Sequence, residues 1–523
     1  MAASSSGPVV PVAALAVAAY GAVLGSLFPI VVVLSVADVS GGLSVAADSG
    51  ALVNTAQNVG SVAGILIAPS ITMGIGRGRM MLVSGIGFAI ASIACAIAPS
   101  LGWMLVARTL HGVFGGILPL MFMMIVMSSL RPGRGQFEGM TFFAGSTTLF
   151  FGMAASLGAM LVDAFDWRAL FWAQAVAVIP YVIAASRVLP GETGRPETLR
   201  DVDWETYLPL TTGLGMLVVA LSEGERHFWL DAWWVSALCL GGVVLTGFAV
   251  HGLLAKQGRK LLVLDVFRRP TFTWGILLSV FFRFGTMFVI FVVPSFLGRL
   301  QGLRPSETGQ VLMLMTPAAA VGLAAAWALA RRVDSRWLLS AGLACFALAA
   351  WSCVGIGPDW AIDQLRVAAL IAGVGLALFS VGVLRFAVIG ATMVDGPSVG
   401  IVFNLARVLG NIAGLAILMH LVAEREKAHS AVLVEALAAT SGETAQRLAA
   451  TGAALSRFSA DPAAAENGAL AALGRAATGQ AFTLAFADAL GVTAVVLTLG
   501  AILVWALPRI PLEGAANLQG SPS

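Results

Sequence analysis

Apolar runs of about twenty residues, each long enough to cross a bilayer as helix, recur along almost the whole chain. In hydrocarbon the backbone N–H and C=O groups must find partners within the protein, which a helix supplies. The repetition therefore predicts an all-α polytopic membrane protein. Composition agrees, since 59% of the 523 residues are hydrophobic and only 11% are charged. A soluble chain of this length would carry about 25% charged residues.

Several function classes fall away at once. The net charge of +3 is spread over many short loops, so no nucleic-acid surface is expected. Cys95, Cys239, Cys345 and Cys353 all lie in apolar segments, with no CxxC and no Cys/His cluster, so neither a disulfide nor a metal site is expected. No cofactor motif is present. The amino terminus has no basic region, and its apolar stretch is too long for a cleaved signal, so it reads as a first span.

Polar and turn-rich breaks divide the chain into fourteen apolar segments. They lie near 11–37, 50–73, 79–98, 101–129, 137–162, 167–188, 205–222 and 231–255, then 272–298, 307–330, 336–356, 362–388, 398–422 and 482–507. With the amino terminus in the cytoplasm, the cytoplasmic loops and tail hold sixteen Lys and Arg residues. The opposite short loops hold five: Arg168, Arg226, Arg299, Arg304 and Arg366. That asymmetry supports both the count and an orientation with both termini cytoplasmic. Two polar stretches stand apart, a connection at 189–204 and the segment 423–480, which reads as an extracytoplasmic pair of short amphipathic helices.

One span holds "MLVARTLHGVFGGILPLM" (104–121), in which Arg108, Gly112 and Gly116 repeat every four residues on one face. Small residues at this spacing let helices approach closely in a membrane, so the face with the arginine points into the bundle. The pattern RxxxGxxGG resembles the fourth-helix motif of the major facilitator superfamily. Other stretches are similar to its 14-helix drug:proton antiporter branch, the EmrB/QacA type. They are "DWRALFWAQA" (166–175), "ALSEGERHFWLDAWWV" (220–235), "LDVFRRPTF" (264–272), "VPSFLGRLQGLRPSETGQVLMLMTP" (293–317), "FNLARVLGNIAGLAI" (403–417) and "GQAFTLAFADAL" (479–490).

The resemblance implies two six-helix bundles, 1–188 and 272–523, joined through two extra helices at 205–255 with cytoplasmic linkers at 189–204 and 256–271. It implies alternating access about a midplane site, proton coupling at the Arg108 position, and conformational gating by Gly76, Arg77, Arg79, Gly112 and Gly116. Glu138, at the start of the fifth span beside Arg131 and Arg134, reads as part of a cytoplasmic charge clamp. In double-membrane cells it also implies the inner membrane, with a periplasmic adaptor and an outer-membrane channel as partners of the segment 423–480. Three family motifs are altered here. Phe28 stands where a first-helix aspartate is usual, Met73 replaces the aspartate of "PSITMGIGRGR" (69–79), and the antiporter motif of helix five has become "AASLGA" (154–159).

Charges inside the spans are one-sided. All 27 acidic residues fall in loops or near span ends, Asp38, Glu138, Asp363 and Asp488 coming nearest to the membrane. Arg108, Arg283, Arg385 and Arg407 fall within spans. Rare intramembrane polar groups build transporter sites near the midplane, and guanidinium holds carboxylate or phosphate in bidentate fashion. The expected substrate is therefore an amphipathic anion or weak acid, with Arg283 as the prime contact. Arg385 lies close enough to one face to snorkel. His111 is the one histidine at cavity depth, either a proton carrier or a hydrogen-bond donor, whereas His420 reads as a surface residue. Asn54, Gln57, Asn58, Asn404 and Asn411 should face the cavity or other helices, because unpaired amides are costly in lipid.

The function expected is secondary active, proton-coupled export of amphipathic organic compounds. Proton-independent uptake of organic anions and ordinary export of cationic drugs remain the rivals. A membrane enzyme would need a catalytic His/Asp or paired-acid constellation at one membrane face, and the sequence holds none; a sensor would need an appended signalling domain.

Overall fold

The computed structural model describes residues 12–130, 134–189, 193–256, 260–330, 332–388, 396–439, 441–457 and 461–509. Among them there is no strand, and each of the fourteen apolar segments is helical. In chain order the helices are α1 (Val12–Leu34), α2 (Ala47–Ile75), α3 (Arg77–Ala96), α4 (Leu101–Ser129), α5 (Arg134–Thr148, resuming as Ala154–Ala164), α6 (Ala169–Val188), α7 (Trp204–Glu223) and α8 (Trp233–Ala255). They continue as α9 (Pro270–Met287, running on to Leu300), α10 (Pro305–Met313 and Met315–Ala330), α11 (Ser335–Ser352), α12 (Ile362–Val388), α13 (Gly396–Ala439), α14 (Ser441–Leu455) and α15 (Pro462–Leu503). Eleven helices among the described residues are long and apolar enough to cross a membrane, so this is a multi-pass membrane protein. Of the other expected spans, α7 and α11 are helices that fall outside that measure, and α5 is interrupted by a turn at 149–153.

The bundle has two faces. One carries the polar linker, which folds back so that the Arg195 N–H donates to the Met73 carbonyl at 3.0 Å. The other carries the long segment before the last span, where the expectation of two short helices is corrected. Instead α13 runs unbroken for 44 residues through the end of its span and beyond, α14 follows, and α15 begins about twenty residues before its apolar stretch. Both α13 and α15 continue without a break from span to hairpin, because alanine and leucine keep helix propensity high after the apolar run ends. These two ends are called the linker face and the hairpin face below.

Glycines set the tightest seam, between α2 and α4. A Cβ added to Gly60 would strike the Thr109 carbonyl, one on Gly64 the Val113 carbonyl, and one on Gly112 the Gln57 carbonyl. Gly116 lies against the Ser61 backbone with a little more room. Backbones touch directly here, so the small residues on the Arg108 face are required by packing. The remaining spans of the first half wrap this pair, with α3 on α6 and α1 on α4. In the second half α12 is central, packed on both α10 and α11, while α13 and α11 both pack on α15.

The halves meet near both faces. Toward the hairpin face Gly309 of α10 packs on Ser156, and Gly152 on the Leu312 carbonyl. Toward the linker face Gly396 and Gly400 of α13 lie against Met127 and Leu120 of α4. The extra pair, α7 and α8, packs on itself and lays α7 along α2, where the Tyr207 hydroxyl donates to the Ala63 carbonyl at 3.3 Å. At the linker face Asp203 caps α7, accepts from Lys256 at 2.6 Å, and has its carboxyl held below the usual range by that partner and Thr206, against the opposing effect of burial.

The α2–α4 seam yields a direct test. Gly112→Val forces a side chain against backbone and should cost about 1–3 kcal/mol, the range for overpacking a close-packed interior. Gly102→Val, at a position with open space around it, should leave stability unchanged. Thermal unfolding of the detergent-solubilised variants would check this, and equal melting temperatures would refute the seam.

Candidate functional site

Between the two halves lies a cavity of about 200 Å³. The first half contributes Ser26, Pro29 and Ile30 of α1, Gln57, Asn58 and Ser61 of α2, Gly116 of α4, and Phe143, Thr147, Thr148 and Phe151 of α5. The second contributes Arg283, Thr286, Met287 and Ile290 of α9, Ser380 and Leu384 of α12, and Phe403, Arg407 and Asn411 of α13. Its wall combines apolar side chains with a few converging polar groups, the usual make-up of a small-molecule site.

Two local backbone features shape that wall. Pro29 sits inside α1 and deprives the Gly25 carbonyl of its intrahelical partner. In α9 the stretch Phe288–Val292 winds as π-helix immediately ahead of Pro294. A proline in an α-helix clashes with the carbonyl four residues earlier, here Ile290, and a π-turn relieves that clash by inserting an extra residue. Such turns cluster at functional sites, and this one carries Ile290 in the cavity wall.

Arg283 and Arg407 are the ionisable groups in the lining, and no carboxylate joins them among the described residues. The Arg283 Nε donates to the Ser279 carbonyl at 3.3 Å, and its guanidinium carbon lies 5.3 Å from the Phe282 ring centroid. Arg407 Nη1 donates to the Ser26 hydroxyl of the opposite half at 2.9 Å. Both guanidiniums border the same cavity. Nearby, the Thr286 hydroxyl donates to the Asn411 Oδ1 at 3.4 Å.

Arg108 and His111 are placed elsewhere. Both are buried inside the first half, outside the cavity lining, with exposures of 1% and 0%. Arg108 Nε donates to the Val53 carbonyl at 3.4 Å, its guanidinium carbon lies 5.7 Å from the Phe171 ring centroid, and Nη1 has no hydrogen-bond partner among the described residues. His111 packs on Phe88, ring centroids 4.2 Å apart, and its Nδ1 is 3.1 Å from the Gln57 Oε1. Gln57 itself lines the cavity, so it links the imidazole to that space.

The other expected residues divide. Asn58 and Asn411 line the cavity; Asn54 and Asn404 do not. Asn404 is buried and bonds the Gly400 carbonyl of its own helix at 2.9 Å. Arg385 is buried against the Phe137 ring and donates to the Ala330 carbonyl, so it packs inward instead of snorkelling. At the linker face Arg77 donates to the Ser128 and Ser129 hydroxyls at the end of α4, beside Gly76, whose φ of 92° suits a glycine. Arg79 is exposed. Glu138 borders a groove among α1, α5 and α10, and the clamp expected between it, Arg131 and Arg134 falls on Arg131, outside the described residues, and on the Arg134 side chain, which is not described. The methionine-rich run 118–127 is core.

Sequence reasoning missed Ser26, Thr147, Thr148 and Thr286. A lone hydroxyl in an apolar span carries little signal, although the pair at 147–148 marks one face of α5.

Comparison with known proteins agrees with this architecture. The human organic anion transporter MFSD10 (TETRAN) superposes with a TM-score of 0.54 at 13% identity, over 93% of this chain and 99% of that one. The proton:xylose symporter XylE gives 0.59 at 12% identity, over 97% and 98%. Among relatives in sequence, the colistin resistance protein EmrB of Acinetobacter baumannii is 24% identical over 396 residues, 74% of this chain and 75% of that protein. The multidrug transporter protein MdtP of Bacillus subtilis is 31% identical over 246 residues, 46% of this chain and 43% of MdtP. The putative multidrug resistance protein MdtD of Salmonella typhi is 28% identical over 229 residues, 44% and 47%. The matches to MdtP and MdtD thus span less than half of either relative. The family description Major Facilitator Superfamily matches residues 12–418, and with the two-half helical fold around a shared cavity it shows that this chain belongs to the major facilitator superfamily.

Proposed function

We propose that the protein exports amphipathic organic anions or weak acids across a bacterial inner membrane, by alternating access around the cavity between its halves. One observation carries the substrate class: two guanidiniums line that cavity and no described carboxylate offsets them. Arginine keeps its charge when buried and offers paired donors to a carboxylate or phosphate. Apolar neighbours such as Phe143, Phe403 and Leu384 would take the hydrocarbon part. Export is suggested by the names of the relatives, and the excess of Lys and Arg at the linker face supports a cytoplasmic location for that face.

We infer further that a proton drives the cycle through His111. Neither arginine of the cavity wall gives up its proton readily. His111 carries an imidazole, the side-chain type whose ordinary titration lies nearest physiological pH, and Gln57 connects it to the cavity. The relatives' names favour a second reading, export of drugs without regard to charge.

Transport by the purified protein in liposomes separates these readings. A charge-assisted hydrogen bond contributes about 1.5–3 kcal/mol, so Arg283→Ala should weaken uptake affinity for an amphipathic carboxylate by about ten- to a hundredfold. A matched quaternary amine transported equally well by both forms, with no carboxylate transport, would sink the anionic substrate.

Proton coupling has its own assay. His111→Gln keeps a hydrogen-bonding side chain but cannot carry a proton. Transport driven by an imposed pH gradient should disappear in this variant, while exchange of labelled for unlabelled substrate persists. An unchanged response to the gradient would remove His111 from the proton route.

A further inference from the structure

The two extra helices are attached to both halves at the hairpin face, and unequally. Along its length α7 lies on α2 of the first half, and its last residue, Glu223, is 2% exposed. Glu223 Oε1 accepts from the Thr55 hydroxyl at 3.0 Å, and Oε2 from Arg226 Nη1 at 3.2 Å. Arg226 in turn stands 4.0 Å from Asp48 at the start of α2. The loop that follows is therefore fixed to the first half by three groups.

From that fixed base the loop reaches the second half. Glu225 Oε2 lies 2.6 Å from His420 Nδ1 on α13 and accepts from Trp229 Nε1 at 2.8 Å. The Trp229 ring meets the His420 ring nearly edge-on, centroids 6.1 Å apart. To bring the indole there, Phe228 and Trp229 both adopt positive φ, 55° and 50°, a costly conformation for bulky residues that only surrounding contacts sustain. Strain held in two consecutive residues at one contact marks that contact as built into the fold.

We propose that this loop is a strap across the two halves, and that Glu225 and His420 are positioning residues whose pairing holds the hairpin face closed. For a substrate to leave on that face the halves must part there. The base on α2 cannot follow α13, so the Glu225–His420 contact must break as the halves part.

The link responds to pH in one direction. As pH falls through the range in which histidines titrate, an imidazole beside a carboxylate gains charge and a hydrogen bond becomes an ion pair. The other charged groups in reach are Glu424 on the same helix, which acts on His420, and Lys427, which acts on Glu225. Glu424 lies 2.6 Å from Lys427, so those two offset each other. Arg226 is engaged by Glu223 and Asp48. The strap is therefore tighter at mildly acidic pH and looser in alkali.

The test measures distance in the absence of substrate, so its result is independent of the transport readings above. Spin labels at Gly41→Cys in the first half and Gly355→Cys in the second, both with open space around them, would be placed in the full chain with its four native cysteines replaced by alanine. In lipid nanodiscs, the ratio of short to long hairpin-face distances should rise about two- to fivefold from pH 8 to pH 5.5, as a weakly screened surface pair allows. His420→Gln should abolish that response and leave the long distance favoured at both values. His420→Lys, charged throughout, should also abolish it but favour the short distance. A distance distribution insensitive to pH in the unsubstituted strap, or a pH response that survives His420→Gln in a monodisperse sample, would overturn the proposal.

Discussion

A guanidinium taken out of water must find acceptors, and in this protein the acceptors found inside the spans are neutral. Arg108 bonds the Val53 carbonyl, Arg283 the Ser279 carbonyl, Arg385 the Ala330 carbonyl and Arg407 the Ser26 hydroxyl. Carbonyls and hydroxyls satisfy donors without cancelling charge. The interior therefore stays positive at Arg108, Arg283 and Arg407, and the last two border the space between the halves. Losing one neutral acceptor to an incoming anion costs such a site less than breaking a buried ion pair would, since no opposite charge is left stranded.

The scaffold divides its rigidity accordingly. Where α2 and α4 touch backbone to backbone, no side chain is available to yield, and Arg108 and His111 are sealed in with them. The opposite wall of the cavity is made from irregular helix, with the interrupted α5, the proline in α1 and the π-turn of α9. The fixed seam gives the first half a firm core. The irregular wall places hydroxyls and amides at angles an ideal helix would not offer.

Much of this was legible in the sequence. The all-helical, multi-pass architecture followed from the recurrence and length of the apolar runs, a consequence of the bilayer. The Arg108–Gly112–Gly116 face announced a close helix contact, and Gly112 and Gly116 make it. Cavity membership was harder. Arg283, Arg407, Gln57, Asn58 and Asn411 were found because polar residues are rare in spans, yet the same signal drew in Arg108, Arg385 and Asn404, which bond backbone carbonyls outside the cavity lining. Depth and facing depend on which helices lie beside a residue, and local spacing does not encode that. His420 is the exposed residue the sequence predicts, but its partner Glu225, 195 positions away, could not be read from local spacing. The length of α13 was hidden by a change of composition at the membrane boundary, where apolar residues give way to alanine and charge without any break in helical propensity.

That length gives the molecule a mechanical property. A helix of 44 residues is about 66 Å long at 1.5 Å per residue, more than twice the ~30 Å hydrocarbon it crosses. Its far end stands roughly 45–50 Å from the membrane midplane, so a tilt of about 10° at the pivot swings the tip by about 8 Å. Motion too small to follow within the bundle is thus amplified where water and other macromolecules can reach it. The hairpin is a pointer whose position reports the angle of the half that carries it.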